Sequence, residues 1–225
     1  AAPASASLVA FMGSFDDWDG SYFGTLCASN VVAQGAINGF APLFQDLPNG
    51  IPGMTLGGAP KAKLVPIGDI YFNFDTSIRN AWILSMLGYD GRANTKDDIQ
   101  VTSNSYGESD IVNGGWDYNS RYLDRYQRRL NPTTTHLFAN GNGGSGYGTV
   151  TSPLPSVAVK VAASTQFGST GWDSITRTTQ IPFGSSNWFT NRGPDARGTV
   201  GADIAANGDR GSGDVPINIG FDGNY

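Results

Sequence analysis

Cysteine, histidine and charge are all scarce in this chain of 225 residues. Cys27 is the only cysteine, which excludes an intrachain disulfide, and His136 is the only histidine. Charged residues make up 15% of the chain, and the net charge of −5 comes without a basic stripe, which argues against nucleic acid as a main partner. No apolar run approaches the length of a transmembrane helix, so the sequence predicts no membrane span.

Apolar and small residues are abundant instead. Hydrophobic residues supply 39% of the chain and there are 31 glycines, which indicates one loop-rich globular domain with a sizeable core. Many Asn, Ser, Thr and Gly residues and few lysines favour an extracellular or cell-surface location. Cys27 lies among small apolar residues, and His136 lies inside a predicted strand, so both are predicted to be packed structural side chains.

Short strand-like runs alternate with helical patterns along the chain. The predicted strands are residues 8–12, 62–67, 98–105, 135–139 and 157–163, and the predicted helices are residues 25–34, 75–87 and 117–130. This alternation predicts an α/β fold with a mostly parallel sheet, whose sites lie beyond the carboxyl ends of the strands. Two polar, glycine-containing segments follow such ends, at residues 103–107 and 140–144.

One polar loop carries oxygen donors at alternating spacing. Asp90, Asn94, Asp97 and Asp98 stand around Gly91, as donors do in calcium loops, but the bidentate Glu of an EF-hand is missing. The loop is a candidate site for a structural calcium ion, and the alternative is a solvated polar turn.

Four segments, in their order along the chain, resemble motifs of the subtilisin-like serine peptidases. They are Phe-Gly-Thr-Leu-Cys-Ala at 23–28, Ser-Asn-Ser-Tyr-Gly at 103–107, Phe-Ala-Asn-Gly-Asn-Gly-Gly at 138–144, and Phe-Thr-Asn-Arg-Gly-Pro at 189–194 followed by Ala-Asp-Ile-Ala-Ala-Asn-Gly at 202–208. The resemblance covers nearly the whole chain and implies a three-layer α/β fold with a mostly parallel central sheet flanked by helices.

The resemblance also implies roles for individual residues. Asn142 is expected to donate its side-chain amide to the oxyanion of the tetrahedral intermediate, in a loop where glycines let the backbone approach substrate. Two expected walls of the first specificity pocket bind the peptide or protein substrate. They are Ser105, Tyr106 and Gly107 on one side, and Ala139, Asn140 and Gly141 on the other. Such hydrolysis requires no cofactor.

The chain departs from the family pattern at the catalytic triad. Phe23 stands where the family has its histidine, and neither the Asp strand nor the Gly-Thr-Ser-Met-Ala serine motif is found in the sequence. The expectation is therefore a single domain over residues 1–225 that lacks the N-terminal Asp strand and the C-terminal Ser helix. We expect this chain alone to be inactive, with the remaining segments of the domain or other extracellular subunits as partners.

Several alternatives stay open at this point. The chain is the core of a secreted serine endopeptidase, or a pseudopeptidase that keeps the fold as a peptide-binding module, or an extracellular structural protein. A further alternative concerns position 23 alone, where a histidine misidentified as phenylalanine would restore the family motif.

Overall fold

The computed structural model describes residues 8–12, 23–32, 57–67, 74–112, 114–144, 146–164, 186–187 and 189–208. The helices are α1 (Phe23–Val32), α2 (Phe74–Leu87) and α3 (Tyr118–Leu130). The strands are β1 (Leu8–Met12), β2 (Lys63–Ile67), β3 (Val101–Asn104), β4 (Glu108–Val112), β5 (Thr135–Ala139), β6 (Thr151–Ser152), β7 (Val159–Ser164) and β8 (Ile204–Asn207).

The described strands form a six-stranded parallel sheet in the order β2-β1-β3-β5-β7-β8, and β4 pairs with β6 antiparallel. The predicted α/β fold with a mostly parallel sheet is therefore confirmed. The neighbours β3, β5 and β7 end at the same edge of the sheet, because their pairing is parallel. This edge carries both of the polar segments that the sequence singles out.

Helix α3 shows how the sequence fixes an element. Asp117 caps it, because Oδ1 accepts a hydrogen bond from the Ser120 backbone N–H at 2.9 Å and Oδ2 accepts one from the Ser120 hydroxyl at 2.6 Å. The helix buries Leu123 and Gln127 on one side and exposes its arginines on the other. Asn131 and Pro132 end the helix.

The main core lies between the sheet and the pair α2 and α3. Its largest fully buried side chains include Trp82, Phe138, Ile78, Met86 and Leu123. The Trp82 and Phe138 rings meet edge to face with centroids 6.0 Å apart, an arrangement that adds to the free energy gained from burial. This face of the sheet is closed by large apolar side chains.

A chain of hydrogen bonds runs through this core. The Trp82 indole N–H donates to the Tyr106 hydroxyl at 3.0 Å, and that hydroxyl donates to Asn104 Oδ1 at 2.7 Å. Asn104 Nδ2 donates to Thr102 Oγ1 and to the Leu137 carbonyl, both at 2.8 Å. These buried polar groups are satisfied mostly by one another, which fixes β3 against β5 and α2.

His136 belongs to the same buried layer. Its side chain is fully buried, and Nδ1 is hydrogen-bonded to the Thr102 hydroxyl at 2.7 Å. Burial lowers the pKa of this imidazole to about 4, so His136 is neutral at pH 7. The prediction of a packed strand histidine is confirmed.

Candidate active site

A cavity of about 390 Å³ opens at the carboxyl ends of β3, β5 and β7, on the face of the sheet opposite to α2 and α3. Successive residues of a strand point to opposite faces, so the side chains of Asn104 and Phe138 are buried in the core, whereas Ser103 and Leu137 alternate with them. All four residues contribute to the cavity lining. Cross-strand neighbours continue this lining. The paired positions are Ser103 with Leu137, Ala139 with Val161, and Ala163 with Ala206.

Helix α1 lies against the same cavity and begins at Phe23, which the resemblance places at the position of the family histidine. Its Cys27 lines the cavity and is half-buried. Burial raises the pKa of the Cys27 thiol to about 11, although a hydrogen bond with Ser105 acts in the opposite direction. The thiol is therefore protonated at neutral pH and is a poor nucleophile.

The structure brings together most of the residues that the sequence assigns to the site. Ser105, Ala139, Asn140, Gly141 and Asn142 all line the cavity. The Asn142 side chain is exposed to solvent there, whereas the Asn140 side chain is 2% exposed and is turned into the protein. An exposed amide that borders a cavity is free to donate hydrogen bonds to a bound group.

Tyr106 and Gly107 lie outside the cavity lining. Tyr106 is 8% exposed, and its hydroxyl is used inside the core by Trp82 and Asn104. Gly107 faces β6, where a Cβ would come within 3.0 Å of the Ser152 carbonyl oxygen. Of the first predicted wall, only Ser105 borders the cavity.

The loop that carries Asn142 has two glycines with no room for a side chain. Gly141 has φ +103°, a conformation that favours glycine, and a Cβ there would overlap the Asn191 amide and the Thr151 hydroxyl. A Cβ on Gly143 would lie 2.7 Å from Asn191 Oδ1. Both positions beside Asn142 thus require glycine because Asn191 approaches them closely, and Thr151 adds to the crowding at Gly141.

Asn140 and Asn191 bind each other reciprocally. The Asn140 Nδ2 group donates to the Asn191 carbonyl at 2.7 Å, and the Asn191 Nδ2 group donates to the Asn140 carbonyl at 2.7 Å. Thr190 adds a hydrogen bond from its hydroxyl to Asn140 Oδ1 at 3.1 Å. Sequence reasoning missed this pair for two reasons. Asn140 precedes Gly141, a combination that signals only a turn, and Asn191 lies far from it along the chain.

A buried charge cluster braces the segment that follows Asn191. Burial opposes ionisation of the Asp195 carboxyl, but hydrogen bonds from Arg197 and Thr199 outweigh it and lower its pKa to about 2. Arg197 also reaches Asp124 on α3 at 3.5 Å and the Leu154 carbonyl at 3.2 Å. This cluster ties the segment that contains Asn191 to α3.

The candidate calcium loop uses its carboxylates within the protein. Asp97 Oδ2 accepts hydrogen bonds from the backbone N–H groups of Tyr89 at 2.6 Å and Asp90 at 3.1 Å, and Asp98 Oδ2 accepts one from Asn131 at 2.9 Å. Asn94 has φ +63° and donates its backbone N–H to Asp98. In the part of the chain that the structure describes, no group of three or more His, Cys, Asp or Glu is arranged to hold a metal ion. Calcium binding stays a prediction.

Comparison with known families matches residues 17–222 to the subtilase family, Peptidase S8. The match spans most of the chain, so this chain belongs to the subtilase family, a class of subtilisin-like serine peptidases. The predicted family membership is confirmed.

One solved structure agrees at the level of the fold. The chain is similar to sphericase, with a TM-score of 0.50 and 18% identity over 92% of this chain and 69% of that one. It is also similar to the S41 psychrophilic protease, with a TM-score of 0.48 and 16% identity over 90% of this chain and 66% of that one. This chain thus spans about two thirds of the length of either structure. No curated protein matches it. Within the described residues, no helix is both long and apolar enough to cross a membrane.

Proposed function

We propose that this chain forms the core of a secreted subtilisin-like serine endopeptidase, with Asn142 as the oxyanion donor. The observation that carries the proposal is the convergence of Ser105 and of the loop containing Asn142 on one cavity at the carboxyl ends of β3 and β5. Open α/β sheets place their sites at such an edge. Peptides or proteins are the proposed substrates.

The proposed chemistry follows from charge development during peptide hydrolysis. Attack on a peptide carbonyl turns its oxygen into an oxyanion, and a fixed neutral donor stabilises that charge. Asn142 supplies such a donor, since its side chain is exposed where it borders the cavity. Ser105 and residues 139–141 would form opposite walls of the first specificity pocket, where the extended substrate binds. Tyr106 and Gly107 would support the wall of Ser105 from behind.

We propose that the chain alone is inactive, because a general base is missing at the start of α1. Phe23 occupies the first position of that helix, and a phenyl ring cannot accept the proton of a serine nucleophile. The second candidate function, a pseudopeptidase that binds peptides without cleaving them, is favoured by this same residue.

Labelling with a fluorophosphonate probe separates the two candidates, because the probe reacts only with an activated serine. Labelling of the protein together with peptide hydrolysis would support the peptidase. Peptide binding without labelling would support the pseudopeptidase. In that case Phe23→His is the matched variant, tested together with the remaining segments of the domain because the serine motif is not found in this sequence. A gain of labelling in it would show that Phe23 is what prevents the reaction. Peptide sequencing across residues 19–28 tests whether position 23 is phenylalanine.

The remaining predictions are proposals of the same kind. We propose an extracellular or cell-surface location, which fractionation of cells and medium would test. We propose a structural calcium ion in the loop of Asp90, Asn94, Asp97 and Asp98, and catalysis itself needs no cofactor. A rise in Tm on adding calcium that Asp97→Asn abolishes would support the calcium site, and an unchanged Tm would oppose it. Remaining segments of the domain or other extracellular subunits are proposed partners.

A further inference from the structure

The side chain of Asn191 lies beneath the loop that carries Asn142. Asn191 is 2% exposed, and its two side-chain atoms bind the loop on both sides of Asn142. Nδ2 donates to the carbonyl of Asn140 at 2.7 Å, and Oδ1 accepts from the backbone N–H of Gly143. One amide group therefore holds the residues two before and one after the proposed oxyanion donor.

The backbone of Asn191 adds to this hold. Its N–H donates to the Gly141 carbonyl at 3.0 Å, and its carbonyl accepts from Asn140 Nδ2 at 2.7 Å. Gly144 donates its N–H to the Phe189 carbonyl at 2.9 Å, so the contact extends along both segments. The loop is thus bound on both sides of Asn142 and not at one point.

Among the described residues, the loop's backbone hydrogen bonds to other segments than that of Asn191 lie at its two ends. The Asn140 N–H donates to the Val161 carbonyl at 3.0 Å, the Asn140 carbonyl also accepts from the Thr151 N–H at 3.3 Å, and the Gly144 carbonyl accepts from the Thr149 hydroxyl at 3.1 Å. Gly141 and Gly143 flank Asn142, and glycine has more backbone freedom than any other residue. Asn142 itself is exposed. A donor must face the developing oxyanion before reaction, so a loop with two glycines requires an external constraint.

We propose that Asn191 is a positioning residue, which fixes the loop 140–143 so that the Asn142 amide faces the cavity. The proposal deepens the proposed function and rests on it for the role of Asn142. Asn191 need not touch the substrate, because it acts through the carbonyl of Asn140 and the N–H of Gly143. Asn191 has no net charge, so it fixes the loop without adding a charge near the reacting carbonyl.

The test compares Asn191→Ala with Asn131→Ala in the full chain. Asn131 is a matched control, because it is 1% exposed and also donates to a backbone carbonyl, that of Met86 at 3.0 Å. It precedes β5, whereas the Asn142 loop follows that strand. Both variants should lower Tm. The reporter is hydrogen exchange of the Gly143 amide, followed by NMR on uniformly ¹⁵N-labelled protein.

In Asn191→Ala we expect protection of the Gly143 amide to fall about ten-fold or more, since its acceptor is gone. In a preparation that contains the remaining segments of the domain and cleaves peptides, kcat of Asn191→Ala should fall about a hundred-fold, as for a misplaced catalytic group. KM should change less than about two-fold. Asn131→Ala should change neither quantity by more than about two-fold. Asn191→Asp keeps an acceptor for the Gly143 N–H and should retain most of its protection.

The proposal is overturned if Gly143 protection falls equally in Asn191→Ala and Asn131→Ala, or equally in Asn191→Ala and Asn191→Asp. A rise in KM with unchanged kcat in Asn191→Ala would also overturn the proposal. If the wild-type chain, combined with the remaining segments of the domain, neither cleaves peptides nor reacts with the fluorophosphonate, the proposed peptidase function fails. The exchange measurements then still decide whether Asn191 holds the loop.

Discussion

Leu137 and Phe138 are neighbours on β5, yet they face two different environments. Phe138 is fully buried against Trp82 and Tyr106, with ring centroids 6.0 Å from each. Leu137 is half-buried and lines the cavity, where its cross-strand partners are Ser103 and Val159. One face of the sheet is filled by large aromatic rings, and the other borders the cavity of about 390 Å³.

The two faces of the sheet thus differ in role: one contributes mainly to the stability of the fold, and the other borders the candidate site. The filled face carries the large buried apolar side chains that make the strongest contribution to folding. The cavity face keeps Ser105 and the Asn142 loop at its edge, where we propose that the substrate binds. Substitutions on the two faces should therefore affect different measurements.

The largest expected effect falls on the filled face. Phe138→Ala should lower the free energy of unfolding by about 3–5 kcal/mol, because it removes a ring from the centre of the core and leaves a cavity. Chemical denaturation monitored by tryptophan fluorescence measures the loss. A loss below about 1 kcal/mol would contradict the assignment of this face as the main core.

Asn142→Ala, at the cavity, should lower kcat strongly and leave the free energy of unfolding nearly unchanged. Loss of an oxyanion donor lowers kcat about a hundred- to a thousand-fold, a range established on a subtilisin, and this corresponds to about 2.7–4 kcal/mol of transition-state stabilisation. The side chain is exposed, so the free energy of unfolding should change by less than about 0.5 kcal/mol. Steady-state kinetics measures kcat in a preparation that contains the remaining segments of the domain, and chemical denaturation of the same sample measures the free energy of unfolding. A large loss of stability would place Asn142 in the structural framework instead.

The buried His136 should make the filled face sensitive to acid. Its pKa is about 4 in the folded protein, below the ordinary value near 6.5, so the unfolded chain binds the proton more tightly. The free energy of unfolding should therefore decrease as pH falls from about 6.5 towards 4, by up to about 3 kcal/mol. Ionised Asp195, with a pKa of about 2, contributes to acid loss only at lower pH.

Denaturation curves at several pH values measure this slope, and His136→Gln is the variant that removes the titrating group. The variant should show a flatter pH dependence between pH 4 and 6.5, whatever its stability at pH 7. An unchanged slope would assign the acid sensitivity to other groups.

The smallest expected effect falls on the cavity face. Leu137→Ala should cost about 1 kcal/mol, because this half-buried side chain contributes only part of the free energy of full burial. Equal losses for Leu137→Ala and Phe138→Ala would mean that the two faces are packed alike in solution. The pair of variants is thus a direct measure of the contrast between the faces.

Most of the sheet and its helices could be predicted, because each element has a local pattern. The strand at residues 135–139 and the cap at Asp117 agree with the structure, since they depend on neighbouring residues. Strands β4, β6 and β8 were not predicted. β6 has two residues and β8 is exposed throughout, so neither has an alternation of apolar and polar side chains to reveal it.

The site was predictable in part for a related reason. The segments after β3 and β5 could be located, because polar and glycine residues follow apolar strands. The inward turn of Tyr106 was not predictable, since it depends on the distant indole of Trp82. The Asn140–Asn191 pair likewise joins two loops that only the folded chain brings together.

The position of β1 within the sheet has a consequence for the order in which the chain folds. β1 lies between β2 and β3, so Leu8 pairs with Lys63 and Val9 pairs with Val101. During synthesis β1 emerges long before either neighbour: one of its edges can pair only after residue 67 has left the ribosome, and the other only after residue 104 has done so. Pairing over such sequence distances is slow and exposes strands to aggregation, whereas β3, β5, β7 and β8 can add in chain order. In the described sheet β1 therefore makes the two pairings that are most distant along the chain.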